Sequence, residues 1–156
     1  MLISLALALA AAMALQDAPA ATAKGTYKGC QAWVWEVAKG RSVDINTDPF
    51  APAQFLRATQ TGEHVVQLRV RFKRNHAPAD GDCAAVDCHE VKLIGHDGQE
   101  YSPIETEAPN DSCRRPVHFD IKGIEGFPRF YFSVPEQADA KKMHLRLANE
   151  RLLLKK

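Results

Sequence analysis

The 156-residue sequence predicts an all-β protein, an antiparallel two-sheet sandwich or barrel of about seven short strands. Three observations predict it. The clearest is the segment 65–73. Val66, Leu68, Val70 and Phe72 share one parity there, and Gln67, Arg69, Arg71 and Lys73 share the other. A period of two with that contrast is a half-buried strand, because helical spacing would scatter the arginines around the axis. Similar short alternations then recur along the chain, separated by turn-forming residues. Finally, no long run carries an apolar stripe with a 3.6-residue period.

The elements follow in order. Residues 2–15 are almost entirely Leu, Ala, Ile and Met, and the first charge is Asp17. Such a run is shorter than the roughly 20 residues that span a bilayer. Small residues follow it at alternate positions: Ala12 and Ala14, then Ala18 and Ala20, then Ala21 and Ala23. This reads as a secretory signal peptide over 1–14, cut after Ala14 or as late as Ala23, although no Lys or Arg precedes the apolar run. One domain is expected over 26–150, with no membrane segment in the mature chain and a periplasmic or secreted location. Gln31, Trp33, Trp35 and Val37 share one parity against Ala32, Val34 and Glu36. That pattern predicts a strand buried on both faces for part of its length.

After the strand at 65–73, Pro, Gly and Asp over 76–83 mark a loop. Val91 and Leu93 start another strand, and Asp97-Gly98 supplies the positive φ values of a tight hairpin returning through Tyr101. Residues 103–116 hold three prolines, acids and Cys113, and read as a long loop. Phe119 and Ile121 suggest a short strand, with Gly123 and Gly126 around a turn. Phe130, Phe132 and Val134 alternate with Arg129, Tyr131 and Ser133 until Pro135 stops the strand. Leu145 and Leu147 alternate with His144 and Arg146. Leu152, Leu153 and Leu154 fit either a strand or a short helix.

In order, the strand over 63–75 ends in Asn75. The hairpin Asp97-Gly98-Gln99-Glu100-Tyr101, the strand Phe132-Ser133-Val134-Pro135 and the closing Leu145-Arg146-Leu147 follow. This order resembles the telokin-like, immunoglobulin-fold extracellular domains of many exported bacterial proteins, over about residues 55–148. The resemblance implies an immunoglobulin-like sandwich outside the cytoplasm and carries no shared catalytic residues.

In an oxidising compartment the four cysteines, Cys30, Cys83, Cys88 and Cys113, read as two disulfides. Three connectivities are open. Cys83 can close on Cys88 and leave Cys30 with Cys113. Alternatively Cys83 or Cys88 ties the loop holding Cys113, and Cys30 takes the other. Metal binding competes on the loop 76–89, through His76, Cys83, Cys88 and His89, or through Asp80, Asp82 and Asp87 as oxygen ligands. The C-x4-C spacing has no matching second pair, so no metal ligand is assigned and no cofactor is expected.

Lys and Arg total 20 and Asp and Glu 19, a net charge of +1. That balance gives no global attraction to nucleic acid. No serine lies in a nucleophile signature, and Glu105 and Glu107 lie two apart in a loop rather than across a cleft. The chain is therefore expected not to be an enzyme, with a small hydrolase of unrecognised site as an alternative. The strongest exposed feature is a basic row. Arg69, Arg71 and Lys73 recur at strand parity, and Arg129 and Arg146 are expected on neighbouring strands. Such a row can bind an anionic envelope or extracellular ligand. The expected function is thus an exported, non-catalytic binding domain, with a metal-binding envelope protein as the alternative. Asn110-Asp111-Ser112 also fits a glycosylation sequon.

Overall fold

The computed structural model describes residues 25–46, 48–76 and 83–154. The signal-peptide segment, Asp80 and Asp82 lie outside the described residues. The described chain forms eleven strands: β1 (Gly25–Tyr27), β2 (Cys30–Gly40), β3 (Ser42–Asp44), β4 (Phe55–Arg57), β5 (Glu63–Lys73), β6 (Val91–Ile94), β7 (Glu100–Tyr101), β8 (Glu125–Gly126), β9 (Arg129–Pro135), β10 (His144–Leu147) and β11 (Glu150–Leu153). Two 3-10 turns, Cys88–Glu90 and Ala140–Lys142, are capped at their N-termini by the side chains of Asp87 and Asp139. The strands run a few residues past the expected 26–150, and Leu154 is buried.

The first sheet has the order β1-β2-β5, and the far edge of β5 pairs with β9 and then β8. The second sheet has the order β11-β10-β6-β7. All strand pairs are antiparallel. The sheets face each other across one apolar core. Val34, Val66, Leu68, Val70, Phe72, Phe130, Phe132 and Val134 come from the first sheet. Val91, Leu93, Leu145, Leu147 and Leu152 come from the second. The fold is a β-sandwich. The alternation expected over 65–73 and 129–134 is observed, since the even-numbered apolar residues of β5 and β9 are fully buried.

Two local expectations are corrected and one open alternative is decided. The parity of β2 breaks at a bulge: Val34 pairs with Val70, but Glu36 pairs with Arg69. The extra residue, Trp35, turns outward together with Glu36, and Val37 swings back toward the core. Cys30, Ala32 and Val34 therefore form the inner face, and Trp33 and Trp35 point away from it. Phe119 and Ile121 do not begin a strand. Phe119 makes a single bridge to Gly126, and Ile121 is fully exposed in a turn. That turn is held by Asp120, whose Oδ1 accepts from Ile124 N at 2.8 Å and Glu125 N at 3.2 Å. Leu152 and its neighbours continue as strand β11, because β10 offers an edge to pair with.

The β6–β7 hairpin is tight, but only Gly98 takes a positive φ, +83°. Gly98 N donates to Gly95 O and Gly95 N to Gln99 O, so the connection closes as a turn followed by a left-handed glycine rather than a two-residue loop. Ribbon β3–β4 had no clear signal in the alternation. It packs Val43 and Leu56 onto a second, smaller cluster of Ile45, Val65, Ala108 and Tyr131. That cluster lies on the outer side of the first sheet and explains why Val65 and Tyr131, at the polar parity of their strands, are buried.

The disulfides are Cys30–Cys83 and Cys88–Cys113, with Cα atoms 6.1 and 5.4 Å apart. The short Cys83–Cys88 closure does not occur. Cys83 reaches back to the start of β2, and Cys88 ties the first turn before β6 to the long loop that follows β7.

Candidate functional site

Only part of the first sheet's outer face is roofed by the small cluster. The rest, toward the C-terminal end of β5, carries Arg69 and Arg71 between the rings of β2 and Phe127. The Arg69 guanidinium lies 4.2 Å from the Trp35 ring centre and 4.8 Å from that of Phe127. Trp35 and Phe127 are themselves in tilted contact at 5.4 Å. Arg71 stacks on Trp33 at 4.6 Å. The cross-strand register produces this directly, because Trp33 stands opposite Arg71 and the bulge residues Trp35 and Glu36 stand against Arg69. Half-buried guanidinium–ring contacts of this kind contribute about 0.5–2 kcal/mol each. Trp35 remains 51% exposed, so its other surface still meets solvent.

The charges along this row are unequally matched. Arg71 is ion-paired with Glu125. Arg69 lies 3.7 Å from Glu36. Lys73 is exposed at the end of β5, in register with Gln31 and Glu125. Arg129, on β9, stands directly opposite Arg69. Among the described residues no ion pair involves Arg129. Burial holds the Arg69 guanidinium below the usual arginine range, and the neighbouring Arg129 charge adds to this. Like charges directly opposite one another on adjacent strands are destabilising.

Arg146 does not join the row. It belongs to β10 in the second sheet, where it stands opposite Lys92 and Arg151 and pairs with Glu100 at 2.8 Å. Each outer face of the sandwich thus carries its own basic residues, and the two groups are separated by the core.

Arg129 opens into a groove between residues 109–118 and 127–129, lined by Arg69, Asn110, Ser112, His118 and Phe127 with three prolines. The Arg129 charge lies beside the Tyr131 hydroxyl, which donates to Asn110 Oδ1 at 3.1 Å. Burial pushes the Tyr131 phenol up to about 12, against the opposing effect of Arg129. Beneath the groove, the buried Asp111 carboxylate accepts from Thr106 N at 2.5 Å and Cys113 N at 2.9 Å, which shapes the 106–113 loop. Asn110 Nδ2 is buried and makes no hydrogen bond. The sequon nitrogen is therefore out of reach of a glycosyltransferase in the folded chain.

Three of the alternative metal ligands, Cys83, Cys88 and Asp87, are engaged elsewhere. Cys83 and Cys88 are in disulfides. The Asp87 side chain accepts from His89 N at 2.9 Å. Among the described residues no group of three or more His, Cys, Asp or Glu side chains is placed to hold a metal ion. No helix of the described chain is long and apolar enough to cross a membrane.

No family model and no curated protein matches the chain. A solved structure is similar. It is that of an uncharacterised β-sandwich protein from Clostridium difficile 630, at 13% identity and a TM-score of 0.47, covering 78% of this chain and 79% of that one. The sandwich assignment stands on the two sheets and their shared core.

The structure places Arg69, Arg71, Lys73 and Arg129 on adjacent strands of one sheet, as the alternation predicts. The rings of Trp33, Trp35 and Phe127 beside them are not predicted by it. The one available signal was that Trp33 and Trp35 fall at the same parity as Gln31, a polar residue.

Proposed function

We propose that the chain is an exported, non-catalytic binding domain of the immunoglobulin-like class, holding an anionic partner on the outer face of its first sheet. The observation that carries this reading is the cross-strand pair Arg69–Arg129, in which only Arg69 has a carboxylate beside it. A sheet that keeps two guanidinium groups on opposite residues, with an acid in ion-pair contact with only one of them, is arranged to receive negative charge from outside. The flanking rings fix Arg69 and Arg71 in place, so little side-chain entropy is lost on binding. Two disulfides support a location outside the reducing cytoplasm, periplasmic or secreted. The apolar leader at residues 2–15 supports the same route.

The test uses the exported chain on carboxylated and sulfated matrices over a salt gradient. Saturable, salt-sensitive retention is expected, and Arg129→Glu is expected to abolish it. Arg146→Glu, on the opposite face, is expected to leave it unchanged. Retention that is absent, or equally sensitive to both substitutions, defeats the reading.

A further inference from the structure

We infer that the groove beside Arg129 is a site for a single carboxylate carried on an apolar body. This rests on the proposed binding role of the first sheet's outer face and narrows it to one ligand class.

Charge selects a monoanion. Two guanidinium groups line the groove, but Glu36 lies 3.7 Å from Arg69, while no ion pair among the described residues involves Arg129. The Asp111 carboxylate beneath the groove is held by Thr106 N and Cys113 N, so the Arg129 guanidinium has no carboxylate in ion-pair contact. A monocarboxylate balances it, whereas a phosphate dianion would bring a second charge with nothing opposite it.

The donors match the same group. Arg129 has five N–H donors. The Tyr131 hydroxyl donates to Asn110 Oδ1 at 3.1 Å. The Asn110 amide is aligned with its oxygen on Tyr131 and its NH2 unspent. Asn110 Nδ2 is buried without a partner, and so is Arg69 Nε. The Ser112 hydroxyl accepts from Arg129 N at 3.1 Å and keeps its own proton to give. Two carboxylate oxygens offer about four acceptor positions. The Arg129 fork, the Asn110 amide and the Ser112 hydroxyl belong to residues that line the groove and together supply four donors. Buried donors without acceptors are rare in folded proteins, and each needs an explanation. An oxyanion supplies one here.

Phe127 and the prolines Pro109, Pro116 and Pro128 also line the groove, together with His118. Phe127 and the prolines offer no side-chain donor, so the body attached to the carboxylate is apolar where it meets them.

The test titrates the full exported chain with sodium benzoate, sodium acetate and inorganic phosphate, read by isothermal calorimetry and ligand-observed NMR. Benzoate is expected to bind saturably and more tightly than acetate, and phosphate more weakly than either. Arg129→Ala is expected to lower benzoate affinity by about tenfold or more, as for loss of a charge-assisted hydrogen bond. Asn110→Asp keeps an acceptor for Tyr131 but replaces the NH2 donor with a repelling oxygen. It is expected to abolish benzoate binding while the circular dichroism spectrum stays that of the folded parent, although the new carboxylate beside buried Asp111 lowers the melting temperature.

Benzoate binding that survives both substitutions overturns the site. Phosphate binding tighter than benzoate overturns the monocarboxylate. Failure of benzoate and acetate to bind, with Arg129-dependent retention on anionic matrices intact, overturns this inference and leaves the broader reading standing. Loss of both results ends both.

Discussion

Replacing Cys88 and Cys113 together by serine removes a link that closes 25 residues of chain. In the chain-entropy account a loop of that size restrains the unfolded state by about 3.5 kcal/mol at room temperature. Cys30–Cys83 closes 53 residues, and the same relation gives about 4 kcal/mol. The two loops, 30–83 and 88–113, do not overlap, so their contributions should add to within about 0.5 kcal/mol. Burial separates them further. Cys30 and Cys83 are in the core, whereas Cys88 and Cys113 pack only partly against it. Replacing the first pair by alanine therefore also removes buried sulfur contacts, and its cost should exceed the entropic figure. The assay is guanidinium denaturation of the parent, Cys88→Ser/Cys113→Ser, Cys30→Ala/Cys83→Ala and the quadruple variant. The serine pair should lose about 3 kcal/mol, roughly 10 °C in melting temperature for a domain of this size. Limited reduction should open Cys88–Cys113 first. A loss below about 1 kcal/mol for the serine pair would refute the entropic reasoning. Peptide mapping that finds Cys83 joined to Cys88 would refute the connectivity itself.

Other outcomes follow from the same geometry. A double-mutant cycle with Trp33→Ala and Arg71→Ala should show a coupling of about 0.5–1 kcal/mol, the range of a half-exposed cation–π contact. A coupling near zero would mean that the stacking is incidental. His144 is held below the ordinary histidine range by burial first, then by Arg151 and Arg146. Its unfolded form therefore takes up a proton before the folded form does. Stability should be full above about pH 6.5 and fall as the pH drops below it. His144→Gln should flatten that part of the profile, and an unchanged profile would exclude His144 as its source. Tyr131 is the opposite case: its folded phenol loses its proton only at about 12. Stability should be full below about pH 10 and decline as the pH rises through 12. Ultraviolet difference titration should show one tyrosine ionising late, and Tyr131→Phe should remove that phase.

Strand β5 shows what is legible locally. Its alternating residues determine which side faces the core, because side chains on a strand point to opposite faces whatever the rest of the chain does. The same holds for β9 and β10 and for the Gly98 turn. Strand β2 shows the limit. Its parity fails at Trp35, since a bulge is a property of the pairing between two strands and leaves no mark in either alone. Val65 and Tyr131 lie at the outward parity of their strands and are nonetheless buried. Their burial depends on β3–β4 and on the loop that carries Ala108, segments far away in sequence.

The candidate site divides in the same way. Arg69, Arg71 and Lys73 were visible as a row because one strand carries them. Arg129 was placed correctly on a neighbouring strand and Arg146 was not, because nothing in two separate alternations says which sheet each one joins. Trp33, Trp35, Phe127, Glu36 and Asn110 reach the row only through cross-strand and loop contacts.

By itself the sequence determined an all-β chain, the inward faces of its main strands and the presence of four pairable cysteines, all of which follow from local period and composition. The tertiary structure alone decided which of three pairings the cysteines adopt, which arginines share a face, and that Arg129 stands opposite Arg69 with no ion pair among the described residues. Those are relations between segments 20 to 60 residues apart, and only the packing of the two sheets brings them within reach of one another.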